Sequence, residues 1–235
     1  MGEIPKLTAY DFKSLDEKFG GAPMDNEQHK KSSRFRKKIR FGGKVFLISE
    51  NVYEPAEDSF LIAKQMKIKG SVLDMGTGCG ILSILAACGA ERVVAIDVNP
   101  YAARCAKVNA EVNGVSEKID VLIGDLFNPL KEKPVFDVIL FNAPYLPIEE
   151  ESERKEDLID YAWSGGKDGR RVIDRFIQQV SKYLKKNGRV LLVQSSLSNV
   201  KRTLEKLRKQ GFQVRIVDEK KAFFESITLI EAVKL

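Results

Sequence analysis

The sequence predicts an α/β fold, a mostly parallel sheet with helices on both faces and a C-terminal antiparallel hairpin. Three observations predict it. From residue 71 onward, strand and helix patterns alternate, as they do where parallel strands are joined by crossover helices. The first three strand patterns end in acids, Asp74, Asp97 and Asp125, at the place where open α/β sheets bind ligands. The last two apolar stretches, 212–219 and 225–235, read as a terminal antiparallel pair.

The elements follow in order. SVLDMG (71–76) reads as a first buried strand and residues 79–88 as an apolar helix. VVAID (93–97) is the second strand. Pro100 to Asn113 is the second helix, with Asn99 as N-cap and Pro100 at its first position, where the missing N–H costs nothing. IDVLIGD (119–125), FDVILFN (136–142) and RVLLVQSS (189–196) are the next strands, which with the terminal pair makes seven. Residues 169–185 and 198–210 carry amphipathic helical patterns. Between strand four and its helix lies a long polar connection, Pro147 to Asp168, of a length that is usually functional or mobile.

Composition narrows the function classes. The chain has 235 residues, 43% hydrophobic and 31% charged, enough for one α/β domain with an extension. No apolar run reaches the ~18 residues of a membrane span, and the N-terminus lacks a secretory apolar core. We therefore expect a cytoplasmic protein with no membrane partner. The three cysteines, Cys79, Cys88 and Cys105, lack metal-ligand spacing and fall in patterns of buried helices, so reduced core cysteines and no metal are expected. Cys79 opens a helix, where a thiolate could be stabilised. The net charge of +6 is uneven: residues 1–45 hold a net +5. This divides the chain into a basic extension, 1–45, and a domain, 46–235. His29 to Lys44 contains no acid. It can attract phosphate, giving an RNA contact through residues 30–44, or it can be a charged strand edge that resists aggregation. KVFLIS (44–49) is strand-like.

The first strand ends in Asp74-Met75-Gly76-Thr77-Gly78-Cys79-Gly80, which is G-x-G-x-G and not the dinucleotide G-x-G-x-x-G. The glycines allow a sharp turn and close approach of a ligand to the backbone. Asp97 can accept from both ribose hydroxyls, and Asp125 from an adenine amino group. The segments VLDMGTGCGILS, VVAIDVNPYAARCAKVNA, GDLFNPL and FDVILFNAPYLP resemble the Rossmann-like, seven-stranded fold of S-adenosylmethionine (SAM)-dependent methyltransferases. VYEPAEDSFLI (52–62) and AWSGGKDGRRVIDRF (162–176) are similar to the HemK-like family, in particular its archaeal and eukaryotic release-factor branch. The resemblance covers about residues 50–235. It implies SAM as cofactor, held by Asp74, Gly76, Thr77, Gly78, Gly80, Asp97, Val98, Asp125, Leu126 and Asn142. It also implies a small zinc-containing activator protein as partner, with the third strand at the sheet edge where a partner strand could add.

Asn142-Ala143-Pro144-Tyr145 stands where the family has N-P-P-Y, with alanine for the first proline. An amide or exocyclic amino nitrogen is a poor nucleophile because its lone pair is delocalised, so positioning must carry much of the catalysis. The Asn142 side-chain oxygen and the Ala143 carbonyl can accept the two N–H groups and stabilise the charge that develops on nitrogen. Tyr145 can pack on the flat acceptor. Pro144 still biases Ala143 toward extended backbone. Glu57 and Asp58 can contact cofactor or acceptor, or can complement the helix dipole. Trp163, Gly165 and Gly166 can border the acceptor channel.

The reading is SAM-dependent N5-methylation of a glutamine in a protein such as a translation release factor. The acidic loop Glu149, Glu150, Glu151, Glu153, Glu156 and Asp157 favours a protein over a phosphate backbone. The alternative is methylation of an exocyclic amino group of adenine or guanine in RNA or DNA, with the base flipped out of any duplex and Phe35 and Phe41 stacking on bases. A third reading is a SAM- or RNA-binding module without turnover, motivated by Ala143.

Overall fold

Along the fourth strand pattern every second residue turns to the same side, and the two sides bury into different layers. In β6 (Phe136–Asn142), Val138 and Leu140 join one apolar cluster while Ile139 and Phe141 join another, the period of two that strand geometry imposes. The computed structural model describes residues 35–148, 159, 162–221 and 224–235. The sheet runs β5-β4-β3-β6-β7-β9-β8, where β3 is Ser71–Met75, β4 is Arg92–Asp97, β5 is Ile119–Ile123, β7 is Leu184–Ser195, β8 is Phe212–Lys221 and β9 is Ser226–Lys234. The first five in this order are parallel, and β9 and β8 add antiparallel. The predicted seven-stranded fold with its C-terminal hairpin is what the chain adopts. β5 lies at one edge, as expected.

Helices α1 (Glu57–Gln65), α2 (Ile81–Ala86) and α3 (Pro100–Val112) contribute to the first cluster, with Ile62, Ile84 and Cys105 fully or almost fully buried. Helices α4 (Arg171–Val180) and α5 (Val200–Lys209) contribute Phe176, Ile177 and Leu207 to the second. Asn99 caps α3, accepting from Tyr101 N–H at 2.9 Å, with Pro100 in its first turn. α2 is shorter than the expected 79–88 because Gly80, at φ +84°, is its left-handed N-cap, so the turn still occupies residues 77–80. β7 starts at Leu184, before the expected 189, because the helix on its N-terminal side ends at Val180.

Residues 35–49 form a separate two-stranded antiparallel sheet, β1 (Phe35–Phe41) and β2 (Lys44–Ser49). The hairpin runs across residue 45, so the last part of the basic extension is paired to the first part of the domain. Its inward face buries Phe46 and Ile48. Among the described residues, the outer edge of β2 does not meet another strand. Asn109 of α3 accepts from Leu47 N–H and donates to Leu47 O, both at 2.8 Å; Asn113 does the same to Val45 at 3.0 and 2.7 Å. Two asparagines one helical turn apart thus copy a strand partner's donor-acceptor pattern, and the hairpin is docked on α3. Residues 1–34, including the start of the basic run, lie outside the described residues, as do the six acids of the 149–157 loop.

Cys79 and Cys105 are buried, but Cys88 is exposed. The expectation of three core cysteines fails there because α2 ends at Ala86 and the chain turns out to solvent. Among the described residues there is no cluster of potential metal ligands, and no helix is long and apolar enough to cross a membrane.

Candidate active site

β3 is followed by β4 on one side and β6 on the other, which makes the C-terminal ends of β3 and β6 a topological switch point, where a crevice must open. A cavity of about 530 Å³ opens there, within the roughly 300–1,000 Å³ of small-ligand sites. Its wall includes Gly76, Thr77 and Gly78 after β3, Asp97 and Val98 after β4, Asp125 and Leu126 after β5, and Asn142 and Pro144 after β6. Nine of the residues named from sequence are therefore brought together.

Four are not on that wall. Asp74 is fully buried beneath the turn. Its Oδ2 accepts from Thr77 Oγ1 at 2.7 Å and from Ser83 N–H and Oγ at 3.0 and 2.6 Å, which shapes the glycine-rich turn. Oδ1 is left without a partner. Burial pushes the Asp74 carboxyl up to about 6. Gly80 faces Ala106, where a Cβ would come within 3.0 Å, so its role is close packing of α2 on α3. Ala143 is 2% exposed. Tyr145 lies beside the cavity with its hydroxyl on Asp58.

The cofactor end has the features a nucleoside needs. Gly76 and Gly78 have positive φ, and a Cβ on Gly78 would project into open space, so the turn offers bare backbone to a ligand. Asp97 is anchored by Gly78 N–H on Oδ2 at 2.8 Å and by Asn99 N–H on Oδ1 at 2.9 Å, which leaves one further lone pair on each oxygen for a diol. Burial raises its pKa to about 6 despite those N–H groups. Asp125 is half exposed and pairs with Arg175 of α4 at 2.6 Å. Arg171, Val172 and Arg175 thus bring the first turns of α4 over this end of the cavity, a contribution the sequence reading missed. Burial pushes the Cys79 thiol well above its ordinary value, which excludes the stabilised thiolate considered for it.

The other end of the cavity is built from Tyr53, Pro55, Ser59, Asn142 and Pro144. Asn142 Nδ2 donates to Ser59 Oγ at 3.2 Å, while its Oδ1 is buried without a partner. Asp58, 5% exposed, accepts Ser59 N–H on Oδ1 at 2.6 Å and the hydroxyls of Tyr53 and Tyr145 on Oδ2, both at 3.3 Å. Burial, then the Asp58 charge, raises both phenols above their ordinary value, so they remain donors. The last two acids of EPAED therefore separate: Asp58 turns in to this cluster, and Glu57 turns out to an ion pair with Lys220. The WSGG-x-x-GR stretch runs alongside. Leu146 N–H donates to Trp163 O, and Gly165 N–H to Leu146 O, each at 2.9 Å. A Cβ on Gly169 would lie 2.3 Å from the Tyr145 carbonyl oxygen, so this approach requires glycine. Arg170 is buried and donates to the Ser198 and Asn199 carbonyls and to Asp174, which ties the loop to the start of α5. Tyr53 and Ser59 are the residues that sequence reasoning did not place here. The signal was their position flanking EPAED, but nothing local shows which side they face.

A family model described as ribosomal protein L11 methyltransferase (PrmA) matches residues 60–150, less than half of the chain. A chain of Methanocaldococcus jannaschii that carries the provisional name protein N5-glutamine methyltransferase is 44% identical over 84% of this chain and 99% of its own length. This chain belongs to that methyltransferase family. A release factor glutamine methyltransferase of Aquifex aeolicus is 30% identical over 77% of this chain and 68% of its own length. Among solved structures, the E. cuniculi Mtq2-Trm112 complex, described as responsible for methylation of the eRF1 termination factor, superposes with a TM-score of 0.59. It is 24% identical and covers 79% of this chain and 99% of its own, a likeness that shows the fold.

Proposed function

We propose that the chain binds S-adenosylmethionine at the β3–β5 end of the cavity and methylates the side-chain amide nitrogen of a glutamine in a translation release factor. The observation that carries this reading is Asn142. Its Oδ1 is a buried acceptor with no partner, and a buried unpaired polar atom costs about 1–3 kcal/mol unless a ligand satisfies it. One N–H of a carboxamide satisfies it, and the Ala143 carbonyl can take the other. Both acceptors gain strength as positive charge develops on nitrogen, which is differential binding of the transition state. The cofactor, when bound, supplies an electrophilic methyl group. Asp97 holds its ribose diol, the bare backbone of Gly76 to Gly78 admits its chain, and Asp125 faces its base. Asn142 and Ala143 orient the acceptor nitrogen, and Pro144 walls the acceptor pocket. No base is needed before transfer, because the proton leaves afterwards.

The release factor as acceptor rests on the names of relatives. A second partner follows from the edge strand: among the described residues β5 has no strand on its outer side, and Ile123 at its end is 60% exposed. An added strand from a small zinc-containing protein would cover it; the related Mtq2 is described in complex with Trm112. The free cysteines fit a reducing cytoplasm. The alternative acceptor, an adenine or guanine amino group, presents the same planar nitrogen, and the exposed Lys38 and Arg40 of β1 favour an RNA contact. Incubation with methyl-labelled S-adenosylmethionine and the cognate release factor, ribosomes and RNA separates the readings. Label is expected on one glutamine of the release factor by peptide mass spectrometry, and Asn142→Ala should lower turnover by about 3 kcal/mol or more while it leaves cofactor binding intact. Label confined to RNA would overturn the protein reading.

A further inference from the structure

We propose that Ser59 is a positioning residue, which, held by Asp58, fixes the Asn142 carboxamide with its oxygen toward the acceptor. The inference rests on the proposed glutamine reading and names what orients its key residue. A carboxamide can turn over about its terminal bond and exchange an acceptor for a donor. With the NH2 group turned inward, Asn142 would meet the N–H groups of a substrate amide with N–H groups of its own. Something must select the productive orientation.

The geometry supplies it in one chain of hydrogen bonds. Asp58 is almost fully buried, and its four donors are Ser59 N–H at 2.6 Å, Ser59 Oγ–H at 3.4 Å and the two phenols at 3.3 Å. Each of these donors needs the carboxylate as acceptor. A serine hydroxyl has a single proton, and the carboxylate draws it to Oδ1. A Ser59 lone pair is then left facing Asn142 at 3.2 Å. Only the Asn142 NH2 group can answer a lone pair, so Oδ1 is turned away from Ser59, and it is buried there without a partner. Asp58 and Ser59 lie in the first turn of α1, with Tyr53 before it and Tyr145 just after β6. The helix entry and the acceptor motif are thereby locked to each other. Pre-setting the amide means that no reorientation is required during the reaction.

The test uses the full chain with Ser59→Ala, Ser59→Cys and Ser59→Thr, each with and without Asn142→Ala. With the cognate release factor, Ser59→Ala is expected to lower kcat on the order of ten- to a hundredfold, the scale of a misplaced orienting group. The cofactor Kd should stay within about twofold, since no donor-end contact is changed. Ser59→Cys keeps the size but offers only a weak sulfur acceptor, so it should show the same loss and serves if the alanine variant does not fold. Ser59→Thr keeps the hydroxyl and should restore most of the rate. Added to Asn142→Ala, the serine change should cost almost nothing further, as expected for residues that act as a unit. A kcat for Ser59→Ala and Ser59→Cys within twofold of the parent chain, or losses that multiply with Asn142→Ala, would overturn the inference. A second readout needs no acceptor. The side-chain amide signals of Asn142, assigned by their loss in Asn142→Ala, should shift in Ser59→Ala and return in Ser59→Thr. Signals that do not move overturn the inference. A parent chain that fails to methylate the release factor sinks the proposed substrate, and the amide spectrum then decides the role of Ser59 alone.

Discussion

Asp97 and Asp74 lie one strand apart, and burial raises both carboxyls to about 6, yet their consequences differ. Asp97 faces the cavity, so its proton competes with the ligand. Its carboxylate form accepts from a diol, and its protonated form has lost an acceptor. Calorimetric affinity for S-adenosylmethionine should therefore fall as pH drops through about 6, and Asp97→Asn should lose that dependence. Asp97→Ala should cost about 2–4 kcal/mol of affinity, part of it from loosening the Gly78 and Asn99 backbone it now holds. Asp74 faces no ligand, so its effect is on stability. Its folded pKa is above that of an unfolded aspartate, ~3.9, so between these values the folded state binds more protons. Stability from this group is fully present below ~3.9 and is lost as pH rises through about 6. Asp74→Asn keeps acceptor geometry without the buried charge. The melting temperature of that variant minus that of the parent should accordingly increase between pH 4 and pH 7; a difference that is flat or decreasing would show that the turn's hydroxyls fully compensate the burial.

The element that most changes the reading of the sequence is the β1–β2 hairpin. Its docking depends on Asn109, which is fully buried and also donates to the Cys79 carbonyl in the glycine-rich turn at 2.8 Å. One side chain thus connects the hairpin edge to the cofactor turn. Asn109→Ala would leave Leu47 N–H and the buried Cys79 carbonyl without this partner, while the Leu47 carbonyl keeps Cys105 Sγ at 3.1 Å. At about 1–3 kcal/mol for each buried orphan, less whatever water can reach, a loss of about 2–4 kcal/mol of stability is expected in denaturant unfolding. Asn113 lies nearer the helix end and only half buried, so its alanine variant should cost less. Equal losses from both would mean that the bond to Cys79 contributes nothing.

For the whole molecule the question is where its basic charge goes. Removing residues 1–40 would test an RNA contact poorly, because it takes away most of β1 and uncovers the partner edge of β2. Lys37 is paired with Glu54, and Arg36 donates to the Val52 carbonyl. Lys38 and Arg40, in contrast, are exposed and lack an ion-pair partner among the described residues. Lys38→Gln with Arg40→Gln keeps the hairpin and removes two charges. If both meet phosphates, the slope of log affinity against log salt for RNA should become shallower by about 2, with melting temperature and release-factor methylation nearly unchanged. An unchanged slope would assign these charges to protection of the β1 edge.

Much of this protein is determined by short sequence patterns. The alternation of strand and helix, the glycine-rich turn, the acids at strand ends and the Asn-Ala-Pro-Tyr segment are all legible, because strand and helix periods and turn chemistry act over a few residues. What the sequence could not give is which of those residues faces the cavity. Asp74 and Asp97 each end a strand, but one carries the turn and the other the open wall. Glu57 and Asp58 are neighbours, but only one is turned inward. Asn142 meets Ser59 across 83 positions, Tyr145 meets Asp58 across 87, and Asn109 meets Leu47 across 62. These contacts exist only once the sheet has taken its order and α1 and α3 have packed on it. No local period carries that information, because a side chain's partner across the fold is set by three-dimensional packing and by the need of each buried polar atom for an acceptor or donor.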